Sequence, residues 1–265
     1  MNSLSAALFG CIAVFGRLHL SAYTVIAIAG IIAALALSQY TALRLGLSAE
    51  KLWDAGIFAI LAAFVISRLL GFGLLLIIEH GQLTLSIRDV LSFSSISYLS
   101  LLVTALAVIL WLRRKHLPLL RVMDAWSPCG ALLWAALSLA DAASGTGAGL
   151  PTRLPWGIHV TGMSAGARVH PVGIYTMIAA LVLCGVLLGL LKSPFAKPHP
   201  PGRIAGIALI AAGIISFPLD MLRPPEQPYA SNLLDVTQWL ALAAIAAGAA
   251  LLLFAPRFEI RRETR

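Results

Sequence analysis

Seven long apolar stretches dominate this 265-residue chain, and each is close to the length that crosses a lipid bilayer. A hydrocarbon core about 30 Å thick is spanned by ~20 mostly apolar residues in a helix, which pairs its own backbone N–H and C=O groups. The sequence therefore predicts an all-α polytopic membrane protein of about seven transmembrane helices, forming a single transmembrane domain over residues 1–265. The predicted spans are about 22–42, 54–79, 96–112, 125–143, 171–191, 203–219 and 234–255.

The charge composition fits a membrane environment and argues against a nucleic-acid partner. Only 11% of the residues are charged, whereas about a quarter are charged in an average soluble domain. The net charge of +8 comes from short basic clusters between apolar stretches, not from a basic stripe with interleaved aromatic side chains. Clusters of that kind set the orientation of membrane proteins and contact anionic lipid headgroups.

The distribution of lysine and arginine predicts how the chain is oriented. Thirteen of these residues lie in the loops after the first, third and fifth spans and in the C-terminal tail, and five lie on the other side. By the positive-inside rule, the N-terminus is expected outside and the C-terminus in the cytoplasm. Residues 1–20 are apolar but contain Arg17 and His19, so we expect an interfacial helix there rather than an eighth span.

Arg68 is an ionisable side chain inside the second predicted span, roughly 21 Å from the inner end of that helix at a rise of about 1.5 Å per residue. Charged groups at such a depth usually face the bundle interior or a water-filled cavity. Three interpretations remain open for Arg68: binding of an anion inside the protein, snorkelling to the outer surface, and hydrogen bonding to backbone groups.

Most other polar side chains that could perform chemistry fall near the predicted outer ends of spans or in outer loops. The longest of these loops, residues 144–170, is rich in glycine and proline and is expected to be structured. Such a collection of side chains could bind a lipid phosphate through arginine residues and helix N-termini. Its members are Tyr98, Asp141, Arg153, His159, Arg168, His170, Asp220 and Arg223.

Several of these residues also have an ordinary structural explanation. A proline follows His170, and proline is favourable at the first position of a helix, so this histidine either flanks a helix or transfers protons. Asp141 is either a hydrogen-bonding group at a helix end or a functional carboxylate. Asp220 and Arg223 have the i, i+3 spacing of a local ion pair, and Tyr175 has the position of an interfacial anchor.

Neither the cysteines nor the acidic residues suggest a metal or another cofactor. Cys11, Cys129 and Cys184 lie in apolar surroundings without a CxxC spacing, as is typical of small buried side chains. The sequence contains no HExxH motif and no carboxylate cluster that would supply metal ligands. We therefore expect no metal and no cofactor.

Several short motifs occur in a defined order along the chain. Residues 147–157 read Gly-Ala-Gly-Leu-Pro-Thr-Arg-Leu-Pro-Trp-Gly, and the pair His170-Pro171 is followed by Tyr175. The other members of the series are Tyr23, Ser67-Arg68-Leu69, Asp124-x-x-x-Pro128 and Leu222-Arg223-Pro224-Pro225. In its order and spacing, over about residues 20–255, this series resembles the prolipoprotein diacylglyceryl transferase family.

The resemblance implies a multi-pass enzyme of the bacterial cytoplasmic (inner) membrane. Such an enzyme transfers a diacylglyceryl group from phosphatidylglycerol to the lipobox cysteine of a lipoprotein precursor. The expected partners are phosphatidylglycerol, the signal peptide of the precursor and the membrane. The transfer needs a base to form the cysteine thiolate and cations that stabilise the departing phosphate.

The resemblance also implies roles for particular residues. His170 is the expected base, with Asp141 and Tyr98 as orienting or relay groups. Arg68 and Arg223 are expected to bind the phosphate. The other substrate-binding residues implied are Gly149, where a missing side chain allows close approach to the backbone, together with Tyr23, Arg153 and Tyr175.

The chain departs from the family pattern at several positions. Tyr98 or a neighbour stands where the family often has a histidine, and Ser138 and Ser216 fall where it has arginines. Asp141 replaces an asparagine and adds a negative charge near an anionic substrate. Two alternatives follow: a non-catalytic membrane homologue that binds lipid or a partner protein, and a transferase with an altered lipid substrate. A small transporter is disfavoured because paired, interrupted helices are not evident.

Overall fold

The computed structural model describes residues 13–15, 18–78, 98–159, 168–192, 200–224 and 234–263. Within these residues, a two-stranded antiparallel hairpin precedes seven helices. The strands are β1 (Ala13–Phe15) and β2 (Leu18–Leu20), and the helices are α1 (Ala22–Arg44), α2 (Ala49–Ile78), α3 (Tyr98–Arg114), α4 (Leu119–Ser144), α5 (Val172–Lys192), α6 (Arg203–Asp220) and α7 (Val236–Glu263).

The helices coincide with the predicted spans, which confirms a helical, polytopic membrane protein. Among the described residues, six helices are long and apolar enough to cross a membrane. The remaining helix, α3, has 17 residues and follows a segment, 79–97, that lies outside the described part of the chain. Helix α4 begins at Leu119, before the predicted start at 125, and continues through Pro128, which removes one helical hydrogen bond without ending the helix.

The N-terminal segment differs from the interfacial helix that we expected over residues 1–20. Strands β1 and β2 pair antiparallel, with Ala13 opposite Leu20 and Phe15 opposite Leu18. Two residues separate the strands, a spacing typical of tight hairpins. The helix prediction is therefore wrong for the residues of β1 and β2, and residues 1–12 lie outside the described part of the chain.

The chain divides into two compact units. The first comprises Met1–Leu37 and Met123–Arg265, and the second comprises Ser38–Val122. In the second unit, α2 packs against α3. The rings of Phe58 and Trp111 stack between these two helices, with 5.2 Å between their centroids.

In the first unit, α6 contacts both α5 and α7. The contact between α6 and α7 is close because glycines line it. A Cβ added at Gly213 would lie 2.5 Å from the carbonyl oxygen of Ala241. One added at Gly248 would lie 2.6 Å from the carbonyl oxygen of Gly206. Small residues at such a contact let two helix backbones approach inside a membrane.

A buried carboxylate joins the beginning of α6 to α4. Asp124 is 3% exposed, and its two oxygens accept hydrogen bonds from the backbone N–H groups of Gly202 at 2.7 Å and Ala205 at 2.8 Å. Gly202 has a φ of 89°, a left-handed conformation that glycine adopts without strain. Because the first turn of a helix has unpaired N–H groups and a positive dipole end, the carboxylate stabilises α6 by hydrogen bonding and by charge.

Replacing Asp124 with alanine is expected to destabilise the protein by about 2–4 kcal/mol, because two charge-assisted hydrogen bonds are lost and the first turn of α6 is left unsatisfied. The thermal midpoint of the detergent-solubilised protein measures this loss. The matched control is Asp54→Ala, which removes an exposed carboxylate on α2 and should change stability by less than about 0.5 kcal/mol. Equal midpoints for the two variants would contradict the proposed link between α4 and α6.

Candidate functional site

The end of α4 carries a partly buried carboxylate, that of Asp141. The hydroxyls of Ser144 and Thr146 donate to its backbone carbonyl at 3.0 and 3.3 Å. The backbone N–H of Gly147 donates to the same carbonyl at 3.0 Å, and Thr146 also donates to Oδ1 of the carboxylate at 3.4 Å. Nearby donors therefore pair with the backbone carbonyl of Asp141 at the end of α4, and one of them also contacts its carboxylate.

Beyond this cap, the backbone forms a hydrogen-bonded layer. The N–H of Gly149 donates to the carbonyl of His170 at 2.8 Å, and the N–H of His170 donates to the carbonyl of Leu150 at 3.0 Å. The N–H of Leu150 in turn donates to the carbonyl of Leu222 at 2.7 Å. The layer thus joins three segments that are distant in sequence: the loop after α4, the residues before α5 and the turn after α6.

Gly149 is buried where these three segments meet. A Cβ added there would lie 2.5 Å from the carbonyl oxygen of Leu222, 2.5 Å from Cγ2 of Val172 and 3.1 Å from Cβ of His170. Any larger residue would therefore push the turn after α6 away from the loop after α4. The close approach that glycine permits here is to the protein's own backbone.

His170 lies in this layer with one ring nitrogen enclosed by protein. Its Nδ1 has no hydrogen-bond partner within the described part of the chain, and its ring packs edge-on against Tyr175, with 6.3 Å between centroids. A buried polar atom without a partner costs about 1–3 kcal/mol and often indicates a functional group. Histidine is also the side chain best suited to proton transfer near neutral pH.

An exposed tryptophan in the loop after α4 positions Tyr175. Nε1 of Trp156 donates to the Tyr175 hydroxyl at 2.8 Å, while Trp156 remains 58% exposed. A tyrosine hydroxyl that accepts from an indole can still donate its own hydrogen to a ligand.

On the same loop, Arg168 donates to the carbonyl of Pro155 at 3.2 Å, and Arg153 is exposed.

The Asp141 carboxylate interacts with groups from two other segments. It lies within electrostatic range of the Arg223 guanidinium and of Tyr23 at the start of α1. Arg223 directly follows Leu222, whose carbonyl accepts the hydrogen bond from Leu150. The backbone layer therefore brings the turn after α6, with its guanidinium, to the end of α4.

Asp220 has a different partner from the one that its spacing predicts. Its Oδ2 accepts a hydrogen bond from the Thr237 hydroxyl at 2.5 Å, which joins the end of α6 to the start of α7. The backbone N–H of Arg223 donates to the carbonyl of Asp220 at 2.9 Å, while the Arg223 guanidinium interacts with Asp141. A helix-to-helix bond thus takes the place of the predicted local ion pair.

Two predicted site residues belong to the second unit. The guanidinium of Arg68 lies over the ring of Phe64, 5.3 Å from its centroid, which is a cation–π contact between residues one helical turn apart. Tyr98 is the first residue of α3, and its side chain lies outside the described part of the structure. Phosphate binding by Arg68 and proton relay by Tyr98 remain predictions.

The first unit therefore gathers Tyr23, Asp141, His170, Tyr175 and Arg223 near one end of α1, α4, α5 and α6. These side chains supply an imidazole, a guanidinium, a carboxylate and two phenols, which are groups that transfer protons and bind charged headgroups. In the described part of the chain, no group of three or more His, Cys, Asp or Glu side chains could hold a metal ion.

Two contributors to this arrangement were not predicted from the sequence. Thr146 contacts the Asp141 carboxylate, and Trp156 donates to Tyr175. The pattern Asp-x-x-Ser-x-Thr after a long apolar stretch is a local signal for a hydroxyl-capped helix end, so Thr146 could have been identified. The partner of Trp156 lies 19 residues away, and no local pattern predicts that contact.

Comparison with known proteins links the chain to one family. The family model described as prolipoprotein diacylglyceryl transferase matches residues 11–254. Similar proteins named phosphatidylglycerol–prolipoprotein diacylglyceryl transferase include one from Nitrosomonas europaea, 28% identical over 162 residues, which is 60% of this chain and 57% of the relative. One from Polynucleobacter asymbioticus is 30% identical over 155 residues, 57% of this chain and 58% of the relative. The matched part of the chain thus spans somewhat more than half the length of these curated relatives.

Replacing Gly149 with alanine is expected to destabilise the protein by about 1–3 kcal/mol, because the new methyl group overlaps the Leu222 carbonyl and cannot be accommodated by a side-chain rotation. The thermal midpoint in detergent measures the effect. Gly189→Ala on α5 is the matched control, since a Cβ there meets nothing within 4 Å and alanine favours a helix. If Gly149→Ala is as stable as Gly189→Ala, the close packing at Gly149 is not needed.

Proposed function

Because the chain belongs to the prolipoprotein diacylglyceryl transferase family, we propose that it transfers a diacylglyceryl group from phosphatidylglycerol to the lipobox cysteine of a lipoprotein precursor. The observation that carries this proposal is the backbone layer that holds His170 against Gly149 and brings Arg223 to the end of α4. This arrangement supports a base and a cation within one compact unit as the proposed catalytic pair. The proposed partners are phosphatidylglycerol and the signal peptide of the precursor.

The proposed reaction is a displacement at carbon. The cysteine sulfur attacks the glycerol carbon that carries the phosphate ester, and a carbon–sulfur bond forms. The carbon–oxygen bond to the phosphate breaks, and glycerol phosphate leaves with the bonding electrons. The thiol must first lose its proton, because the thiolate is the nucleophile. His170 is the proposed base, since its ring is partly buried and its Nδ1 has no partner among the described residues.

Cations are proposed to stabilise the phosphate as negative charge develops on the leaving oxygen. Arg223 is the proposed phosphate ligand in the first unit, with Arg153 at the exposed edge of the loop. Arg68, in the second unit, is proposed as a phosphate-binding residue in its own right. The phenol hydroxyls of Tyr23 and Tyr175 are proposed to orient the headgroup, with Tyr98 as a relay and Asp141 as an orienting carboxylate.

The proposed site faces the outer side of a bacterial inner membrane. Lysine and arginine are concentrated in the loops at the opposite ends of the helices, which supports an outer N-terminus and a cytoplasmic C-terminus. Residues 144–170 then form an outer loop, where both the donor lipid and the lipobox can reach the site. We also propose that residues 1–265 form a single transmembrane domain.

A direct test of the activity combines the purified protein, phosphatidylglycerol and a lipobox peptide, and measures the mass of the peptide. We expect a gain of one diacylglyceryl group on the cysteine. His170→Ala should lower the rate by about 10²–10⁴-fold, the usual contribution of general acid–base catalysis.

His116→Ala is the matched control for that loss, because His116 is an exposed histidine between α3 and α4 that is not part of the proposed site, and its rate should stay within about twofold. Thermal midpoints of both variants separate a loss of catalysis from a loss of folding. No transfer by the wild-type protein, beside an active family member under the same conditions, would contradict the proposed function.

The orientation is tested with reporters fused to the C-terminus of the full chain. Green fluorescent protein should fluoresce and alkaline phosphatase should stay inactive, because the first folds in the cytoplasm and the second requires the outer compartment for its disulfides. The opposite pattern would place the His170 layer on the cytoplasmic side and would contradict the proposed route of lipid and precursor.

A further inference from the structure

A tight turn in the loop after α4 holds an indole in an exposed position. The N–H of Gly157 donates to the carbonyl of Leu154 at 3.1 Å, which closes a four-residue turn with Pro155 and Trp156 at its two central positions. Proline is favoured at the first of these positions because its ring fixes the backbone angle φ. Trp156 is 58% exposed, so packing of its ring accounts for only part of its place in the turn.

The segment before α5 braces this turn. Nη1 of Arg168 donates to the carbonyl of Pro155 at 3.2 Å, and the N–H of Thr152 donates to the carbonyl of Arg168 at 2.8 Å. A Cβ added at Gly157 would lie 2.9 Å from Cβ of Arg168 and 2.9 Å from Cγ2 of Thr152. These bonds and close contacts limit the movement of the turn and of the indole that it carries.

The indole contacts the candidate site through its N–H group. Nε1 of Trp156 donates to the Tyr175 hydroxyl at 2.8 Å, a length typical of a good N–H···O bond. Tyr175 is half-buried in the first turn of α5, and its ring meets the ring of His170 edge-on, with 6.3 Å between centroids. The indole therefore fixes the hydroxyl end of a phenol whose ring lies against the proposed base.

The direction of this hydrogen bond determines what the Tyr175 hydroxyl can offer to a ligand. An indole N–H can only donate, whereas a tyrosine hydroxyl both accepts and donates. Because the oxygen of Tyr175 accepts from Trp156, its own hydrogen is left for a further acceptor, and hydrogen bonds in such a chain strengthen one another. The phosphate oxygens of phosphatidylglycerol are acceptors, and the oxygen that leaves gains negative charge during the proposed transfer.

We propose that Trp156 is a positioning residue for the transfer. Its indole N–H holds the Tyr175 hydroxyl so that Tyr175 donates its hydrogen to the phosphate of phosphatidylglycerol, and this bond strengthens as the carbon–oxygen bond breaks. Tyr175 keeps its proton, so the bonds that form and break are those of the reaction given above. This inference rests on the proposed transferase function and adds a residue that acts through Tyr175.

Trp156→Phe tests the proposal, because phenylalanine keeps an aromatic ring and removes the N–H donor. In the transfer assay with phosphatidylglycerol and a lipobox peptide, we expect kcat to fall about five- to tenfold, as for the loss of one neutral hydrogen bond. KM should change by less than about twofold, because the affected interaction is strongest in the transition state.

Trp239→Phe is the matched control. Trp239 is also 58% exposed, and it lies in the first turn of α7, outside the proposed site. Its kcat should stay within about twofold of the wild-type value, as is usual for a surface substitution. Equal kcat values for Trp156→Phe and Trp239→Phe would overturn the proposal, and so would a raised KM with an unchanged kcat in Trp156→Phe.

A double-mutant cycle shows whether Trp156 acts through Tyr175. Tyr175→Phe keeps the ring against His170 and removes the hydroxyl that accepts from the indole. If the proposal holds, adding Trp156→Phe to Tyr175→Phe lowers kcat no further. If the two losses multiply in the double variant, Trp156 acts independently of Tyr175, and the proposal is overturned. Because both members of this comparison lack the hydroxyl, a general effect of Tyr175→Phe on folding cancels.

A measurement without turnover separates this inference from the proposed function. No transfer by the wild-type protein, beside an active family member, rejects the transferase. The indole contact is then read by ¹⁹F NMR of the full chain labelled with 5-fluorotryptophan, which has six tryptophans. The resonance missing from Trp156→Phe identifies Trp156. A shift of that resonance in Tyr175→Phe, with the Trp239 resonance unmoved, supports the positioning contact, and an unmoved Trp156 resonance overturns it.

Discussion

The structure depends on one constraint: backbone polar groups cannot stay unpaired where water is scarce. Helices meet this constraint internally, whereas the non-helical segments must pair their backbone groups with one another. Here the loop after α4 pairs with the segment before α5 and with the turn after α6. Gly149 allows these backbones to approach closely. The positions of His170 and Arg223 follow from that pairing, so the backbone layer determines the geometry of the candidate site.

The same scarcity of water governs the charges of the first unit. A buried or half-buried charge is costly unless a partner or hydrogen bonds compensate it. Asp124 is compensated by two backbone N–H groups at the start of α6, and it is only 3% exposed. Asp141 is compensated only in part, by Thr146 and by the charge of Arg223. The two carboxylates of α4 therefore differ: Asp124 has a structural role, and Asp141 remains open to a ligand.

The helical fold could be predicted because a bilayer requires long apolar segments, which are visible in any window of the sequence. Strands β1 and β2 could not be predicted because a short apolar segment does not distinguish helix from strand. Within the candidate site, His170, Tyr175 and Arg223 could be named from the sequence because they lie in recognisable motifs, and their roles stay predictions. The contacts of Trp156 with Tyr175 and of Asp220 with Thr237 were not predicted, because they depend on how separate segments pack.

The bond between Asp124 and the start of α6 has a consequence for biogenesis. Its donor at Gly202 lies 78 residues further along the chain, which a ribosome adds in about 4–16 s at roughly 5–20 residues per second. Throughout that interval α4 carries a carboxylate whose final partners do not yet exist. Until α6 has been synthesised and inserted, we expect the Asp124 end of α4 to stay hydrated or to be bound by the insertion machinery. The first unit can therefore reach its final structure only after its last helices, α6 and α7, have been added.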